Sequence, residues 1–359
     1  MTEILVLISI VITALWGFRK RGNTLYLSNS QGKIVKGISA LFLVIIHIRQ
    51  RLEVMPVTYR LLATGGYLFV SMFFFYSGFG ITKNSFKDPD YLIKRLPRRI
   101  IYLFGLIFVS EVVYYLFSIT LFENVFSVLY MIKCILGIRM LNGACWTLVA
   151  MIIIQMVFFL LFCLGSDRLF VNAVVGCVVY ILISVLRGRG AWEMQSCGAF
   201  VLGVLVAEKE DKFKELLEKR FFSYVVLFAF VVSFSAPYIS ESITGRDYLF
   251  VRVFFGTIAS VSFVISAILA LSKVELYNGL IVLLGNISTE VYLWHGLIID
   301  IMKKIIPGAF AEGSSYVLIT FAILICVIIV SSLIWIFKTR VKERVHEIHG
   351  EGLLFRIFS

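Results

Sequence analysis

Residues 315–337 read SYVLITFAILICVIIVSSLIWIF and contain no charged side chain. A helix needs about 20 mostly apolar residues to cross a hydrocarbon layer about 30 Å thick, and this run is long enough. Ten further apolar runs precede it, at residues 3–17, 34–52, 62–82, 99–120, 146–165, 168–187, 193–207, 221–239, 247–271 and 279–302. The sequence therefore predicts an all-α, polytopic membrane protein with about eleven transmembrane helices.

The composition of the whole chain agrees with this fold class. Of its 359 residues, 60% are hydrophobic and 16% are charged, against about 45–50% and about 25% in soluble globular proteins. The net charge is +12, and in a membrane protein such an excess sorts by side of the bilayer and does not indicate nucleic acid as a partner. The six cysteines lack the spacing of a metal site and are interpreted as core residues, so no metal is predicted.

The basic residues predict the orientation of the chain. If the amino terminus lies outside and the carboxyl terminus in the cytoplasm, 23 of the 34 Lys and Arg residues fall in cytoplasmic segments, as the positive-inside rule requires. The segment 122–142 is apolar but contains Lys133 and Arg139, so we predict an interfacial or re-entrant helix there and not a span.

Ionisable side chains within apolar runs are the first candidates for a site, because each costs a few kcal/mol or more unless it is paired or functional. These side chains are His47, Glu111, Arg252, Glu290, His295 and Asp300. Lys36 precedes His47 by eleven residues, so the two share one helix face and stand about 16 Å apart along the axis. This stripe suits an anionic ligand that enters past Lys36 and reaches His47. The alternative is that Lys36 only extends its charged end to the membrane surface and His47 only packs between helices.

Two further motifs carry polar groups beside or within the spans. Lys94-Arg95-Leu96-Pro97-Arg98-Arg99 directly precedes the fourth run, where arginines either bind phosphate or only enforce the orientation. Ser288, Tyr292 and His295 follow the spacing of one helix face. The alternative to a functional role for His295 is a buried histidine whose hydrogen bonds are satisfied within the protein.

In this order and spacing, the motifs resemble the membrane-bound acyltransferase 3 family, integral membrane enzymes that O-acylate carbohydrates. Lys36-x10-His47 matches the family's [Arg/Lys]-x10-His signature, and Arg95-x-x-Arg98 matches its Arg-x-x-Arg motif. Four further parts of this sequence resemble other motifs of the family: the FFFYSGF helix at 73–79, Trp146, Gly198 to Gly203, and Ser288 to His295. One departure is Lys33, where many members have an aspartate.

The resemblance implies a domain organisation and an activity. It covers roughly residues 30–337 as a ten-helix acyltransferase domain, preceded by an additional helix and basic inner loop (1–29) and followed by a basic cytoplasmic tail (338–359). It implies an enzyme of the bacterial plasma membrane that transfers acyl groups other than aminoacyl groups. The donor is expected to be acyl-CoA, in particular acetyl-CoA, with no permanently bound cofactor. The acceptor is expected to be a hydroxyl of a cell-surface or lipid-linked carbohydrate.

The resemblance also suggests roles for the candidate residues. Arg95, Arg98 and Arg99 are expected to bind the phosphates of coenzyme A, with Lys36 guiding the donor. His47 is our hypothesis for the general base, because imidazole titrates near neutral pH. The candidates for supporting groups are Glu290, Tyr292, His295 and Trp146; Trp146 either stacks on a sugar ring or anchors at the interface. The competing hypotheses are a transporter or flippase for an anionic or lipid-linked substrate, and a non-catalytic partner in glycan assembly.

Overall fold

The structure, a computed structural model, describes residues 18–19, 27–52, 65–244, 248–276, 278–311 and 316–349. Its helices in chain order are α1 (Asn29–Gln50), α2 (Gly66–Lys87), α3 (Leu96–Thr120), α4 (Val128–Ile135), α5 (Cys145–Cys163), α6 (Leu169–Leu186), α7 (Ala191–Met194), α8 (Gly198–Glu208), α9 (Glu210–Glu218), α10 (Arg220–Thr244), α11 (Leu249–Lys273), α12 (Gly279–Asn286), α13 (Ser288–Ile305), α14 (Gly308–Ala311) and α15 (Tyr316–His349). A π-helical turn, Tyr91–Arg95, leads into α3, and two-residue strands β1 (Phe18–Arg19) and β2 (Glu275–Leu276) pair antiparallel. The predicted all-α class is confirmed.

The long helices form where hydropathy predicts them. Within the described part of the chain, six helices are long and apolar enough to cross a membrane: α1, the π-helical turn with α3, α5, α6, α11 and Leu318–Arg344 of α15. The pair α12 and α13 is a seventh candidate. The helices α2 and α10 have 22 and 25 residues. The chain is therefore a multi-pass membrane protein.

The span predicted at 193–207 is not one continuous helix, because these residues divide between α7 and α8. Helix α8 alone has 11 residues, about 16 Å of rise. Buried polar side chains hold the turn between the two helices. Ser196 Oγ donates to the Tyr67 carbonyl oxygen at 2.7 Å, and Gln195 Nε2 donates to the Arg252 carbonyl oxygen at 2.8 Å. Average hydropathy does not register such a break.

The run at 279–302 is likewise not one straight helix. It breaks at Ile287, where α12 and α13 meet at an angle of 78°. Ser288 begins the second helix, and its Oγ donates to the Gly285 carbonyl oxygen at 3.1 Å. The bend lets α13 change direction while α12 keeps its contact with α1.

The segment 122–142 does not span, as predicted. Its one helix, α4, has eight residues, or about 12 Å of rise. Ser127 caps this helix by accepting a hydrogen bond from the Tyr130 amide at 3.2 Å.

The additional helix predicted at 3–17 lies outside the described residues, as do residues 350–359 of the predicted tail. The part of the tail from Lys338 to His349 continues α15 without a break.

Several contacts join segments that are distant in sequence. In each case, the predicted topology assigns the two segments to the same side of the membrane. On the predicted inner side, β1 pairs with β2, and Lys83 forms an ion pair with Glu210 at 2.5 Å. On the predicted outer side, Arg51 pairs with Asp300, and Arg187 Nη1 donates to the Gly137 carbonyl oxygen at 3.4 Å. The geometry thus supports the alternation of the helices, while the choice of the cytoplasmic side stays a prediction from the basic residues.

Glycines allow two pairs of helices to pack with their backbones in contact. A Cβ added at Gly78 of α2 would clash with the Phe200 carbonyl oxygen of α8, and one added at Gly203 of α8 would clash with the Phe75 carbonyl oxygen. A Cβ added at Gly37 of α1 would lie 2.5 Å from the Gly285 amide nitrogen of α12. Small residues at helix interfaces are a common way to bring membrane helices together.

The contact at Gly37 supports a prediction about stability. We expect Gly37→Ala to lower the free energy of unfolding by about 1–3 kcal/mol, because the added methyl group meets backbone atoms that cannot rotate away. Thermal unfolding of the purified protein in detergent is the measurement. Gly80→Ala in α2 is the matched control, because a Cβ there meets nothing within 4 Å among the described residues. Equal melting temperatures for the two variants would contradict the prediction.

Candidate functional site

The helices α1 and α13 bring together two histidines that lie far apart in the sequence. The rings of His47 and His295 have centroids 4.9 Å apart and planes tilted by 46°. His47 is half-buried and His295 is 2% exposed. Two of the residues predicted for the site therefore form one pair at the centre of the bundle.

The hydrogen bond of His295 defines which ring nitrogen carries its proton. Nδ1 lies 3.0 Å from the Val291 carbonyl oxygen, which can only accept, so Nδ1 is the donor. The neutral ring then has its lone pair on Nε2. Tyr292 lies beside this pair, with ring centroids 6.0 Å from His295 and 5.4 Å from Phe73.

Lys36 and the arginines occupy the opposite end of α1 from His47. Lys36 is half-buried and lies within electrostatic range of Arg99. Arg99 Nη2 donates to Ser77 Oγ of α2 at 3.0 Å, and Gln155 Nε2 of α5 lies 3.3 Å from the same oxygen. A cationic and polar cluster thus extends from the surface into the helices on the predicted inner side.

The three arginines do not form one group. The side chain of Arg95 is 68% exposed and pairs with Asp88 at 3.5 Å. Arg98 is half-buried, and Arg99 points toward Ser77. Only Arg99 is therefore connected to the interior through a described hydrogen bond, while Arg95 lies at the surface.

The structure gives Glu290 and Trp146 partners other than His47. The Glu290 carboxylate is buried and accepts from Lys338 Nζ at 2.8 Å. Lys338 also lies over the Tyr102 ring, 5.6 Å from its centroid. Trp146 is 5% exposed and packs between Phe74 and Trp192. These two predicted supporting residues therefore contact other side chains and not His47. The sequence did not point to Lys338 as a site residue, because it lies in the segment predicted as the tail.

Glu111, a buried carboxylate of α3, fixes the loop before α5. Its oxygens accept from the backbone amides of Leu141 at 2.8 Å and Asn142 at 3.3 Å. The side-chain nitrogen of Asn142, Nδ2, donates in turn to Ser110 Oγ at 2.6 Å and to the Leu293 carbonyl oxygen at 2.9 Å. Because Leu293 lies two residues before His295, this network connects α3, the loop and the histidine pair.

A cavity of about 480 Å³ opens between α3, the loop that follows it and the second half of α13. It is lined by Tyr114, Ser118, Leu141, Leu297, Asp300 and Lys303, among others. Tyr114 is 8% exposed, and its hydroxyl has no hydrogen-bond partner among the described residues. A Cβ added at Gly296, the residue after His295, would lie 2.9 Å from that hydroxyl. Tyr114 thus packs against α13 at the residue that follows His295.

An ion pair connects the cavity to α1. The Arg51 guanidinium binds the Asp300 carboxylate through Nε at 2.8 Å and Nη2 at 3.4 Å. Arg51 is one helical turn after His47, which is the sequence signal that could have identified it. Tyr114 and Lys303 carried no such signal. Among the described residues, no cluster of three or more His, Cys, Asp or Glu side chains could hold a metal ion.

A family model described as an acyltransferase domain, that of acyltransferase 3, matches residues 33–336. The chain belongs to the acyltransferase 3 family. The match includes Lys36, His47, the three arginines and His295, and it ends just before Lys338. No curated protein and no solved structure matches this acyltransferase 3 chain.

Proposed function

We propose that this acyltransferase moves an acetyl group from cytoplasmic acetyl-CoA to a carbohydrate hydroxyl at the opposite side of the membrane, with His47 as general base. The observation that carries the proposal is the position of the His47 and His295 pair. It lies between the Lys36 and Arg99 cluster and the cavity lined by Tyr114 and Asp300.

The inner cluster is suited to the donor. Coenzyme A carries phosphates at one end and a thioester at the other, so the cations bind the phosphates while the thioester reaches inward. Arginine binds phosphate through paired hydrogen bonds, and Lys36 adds a half-buried positive charge. Lys36 stands about 16 Å from His47 along α1, a distance that the extended pantetheine arm can bridge.

The transfer itself needs one base and one proton path. The acceptor oxygen attacks the thioester carbonyl carbon while the His47 imidazole removes the hydroxyl proton. The carbon–sulfur bond then breaks, and the departing thiolate of coenzyme A takes that proton from His47. His295 is a positioning residue in this scheme, because its ring contacts His47 while its Nδ1–H is held by Val291.

The acceptor is a sugar hydroxyl that enters from the cavity. The cavity has a volume within the range of about 300–1,000 Å³ that is usual for small-molecule sites. Its lining mixes hydroxyl, carboxylate and ammonium groups with Leu141 and Leu297. A plasma membrane location follows from this proposal, because a surface glycan and cytoplasmic acetyl-CoA meet only across that membrane.

The donor assignment predicts the behaviour of an arginine variant. We expect Arg95→Ala/Arg98→Ala to raise the KM for acetyl-CoA about tenfold or more, because each lost hydrogen bond to a charged group is worth about 1.5–3 kcal/mol, less where water screens it. The measurement is transfer of label from radiolabelled acetyl-CoA to surface glycan in inverted membranes at matched expression.

Lys87→Ala is the matched control, because Lys87 is an exposed cation on the same predicted side, at the end of α2. It should leave the KM for acetyl-CoA unchanged. Equal glycan labelling by the wild type, His47→Ala and Arg95→Ala/Arg98→Ala would instead favour a transporter or a non-catalytic partner.

A further inference from the structure

The rim of the cavity carries more positive than negative charge. Lys303 and Lys304 of α13 both line it, and Asp300 is the one acidic residue in its lining. The Asp300 carboxylate is already neutralised by Arg51, which binds it through two nitrogens. Glu123 lies in the nearby loop but is not part of the lining. The cavity therefore holds two ammonium groups whose charge no lining carboxylate offsets.

Neutral groups hold the two ammonium groups in place. Lys303 Nζ donates to the Arg51 carbonyl oxygen at 3.1 Å, and Lys304 Nζ donates to the Leu121 carbonyl oxygen. Lys304 also lies over the Phe122 ring, 5.7 Å from its centroid. A carbonyl oxygen and an aromatic face orient a cation without cancelling its charge, so each ammonium keeps donors for an incoming anion.

The position of these lysines is unexpected for topology alone. They lie at the end of α13 that shares a side with Arg51, the predicted outer side, where basic residues are not favoured. The positive-inside rule therefore does not explain them. Tyr114, which also lines the cavity, is 8% exposed as a residue, and its hydroxyl is buried next to Gly296. A polar ligand in the cavity thus meets two cations from one helix end.

We infer that the acceptor is an anionic carbohydrate: its acid group binds Lys303 and Lys304 at the rim, and its hydroxyl extends toward His47. This inference rests on the proposed transferase function and specifies its substrate class. The acid group is a carboxylate of an acidic sugar or a phosphate ester, which present the same charge to the two ammonium groups.

The test is equilibrium binding of three soluble probes to the full-length protein in phosphatidylcholine nanodiscs. The probes are galactotetraose, tetragalacturonic acid and galactotetraose carrying phosphate esters. We expect both anionic probes to bind about tenfold more tightly than the neutral probe, since each forms two partly exposed ion pairs that the neutral probe lacks. Lys303→Gln/Lys304→Gln should abolish this preference. Lys133→Gln should preserve it, because Lys133 is an exposed cation on the same predicted side but outside the lining.

The outcomes separate this inference from the proposed function. A preference for only the carboxylate probe or only the phosphate probe would support the inference and identify the acid group. Equal binding of all three probes, or a preference that survives in the double variant, would overturn it. Acetyl transfer to the probes is then measured on the same samples. Transfer to neutral and anionic probes at equal efficiency would refute the inference but retain the transferase. Anion-selective binding without transfer to any probe would refute the proposed function and retain the site.

Discussion

His47→Gln is expected to lower the rate of acetyl transfer about 100-fold to 10,000-fold, the usual contribution of a general base. Glutamine keeps a polar side chain of similar length, but its amide cannot accept the hydroxyl proton at neutral pH. The measurement is label transfer from radiolabelled acetyl-CoA to surface glycan, at saturating donor and matched expression.

The same variant distinguishes a base from a packing histidine. A base that acts only in the chemical step should lower kcat and leave the KM for acetyl-CoA and the melting temperature close to the wild-type values. A packing histidine should lower the melting temperature instead. A His47→Gln protein that transfers label within about tenfold of the wild-type rate would refute the assignment of His47 as general base.

Glu111→Gln is expected to lower the free energy of unfolding by about 2 kcal/mol. The carboxylate accepts two backbone amides, those of Leu141 and Asn142. An amide side chain offers one oxygen, so one buried N–H loses its acceptor and faces an NH₂ group, at a cost of about 1–3 kcal/mol. Thermal unfolding in detergent measures this loss.

Glu123→Gln is the control for that measurement, because it makes the same chemical change at an exposed loop position. Its melting temperature should equal that of the wild type. Because Asn142 also binds the Leu293 carbonyl oxygen beside the histidine pair, Glu111→Gln should in addition lower transferase activity. An unchanged melting temperature would show that the loop does not depend on this carboxylate.

The sequence predicted the fold class because apolar runs and helices have the same physical cause, the need to satisfy backbone polar groups within a membrane. It did not predict the break between α7 and α8. That break depends on the partners of Gln195 and Ser196, which are carbonyl groups of Arg252 and Tyr67. Hydrogen bonds between residues so distant in sequence leave no trace in a hydropathy average.

The candidate site was predictable only residue by residue. Spacing placed Lys36 and His47 on one face of a helix, and the cost of burying charge directed attention to His295 and Asp300. The contact between His47 and His295 required the packing of α1 against α13, which sequence spacing does not encode. The pairing of Glu290 with Lys338 was missed for the same reason, since it joins α13 to the end of α15 that the sequence predicts as part of the tail.

The seam between Gly37 and Gly285 limits how this protein can change over evolutionary time. In most cores, a larger side chain on one helix can be offset by a smaller one on its neighbour. Here both positions already hold the smallest residue, and the opposing atoms belong to the backbone. No second substitution on the facing helix can therefore compensate for a first one. If the cavity binds the acceptor as we propose, divergence in acceptor preference has to come from its side chains, while the seam that aligns α1 with α12 stays unchanged.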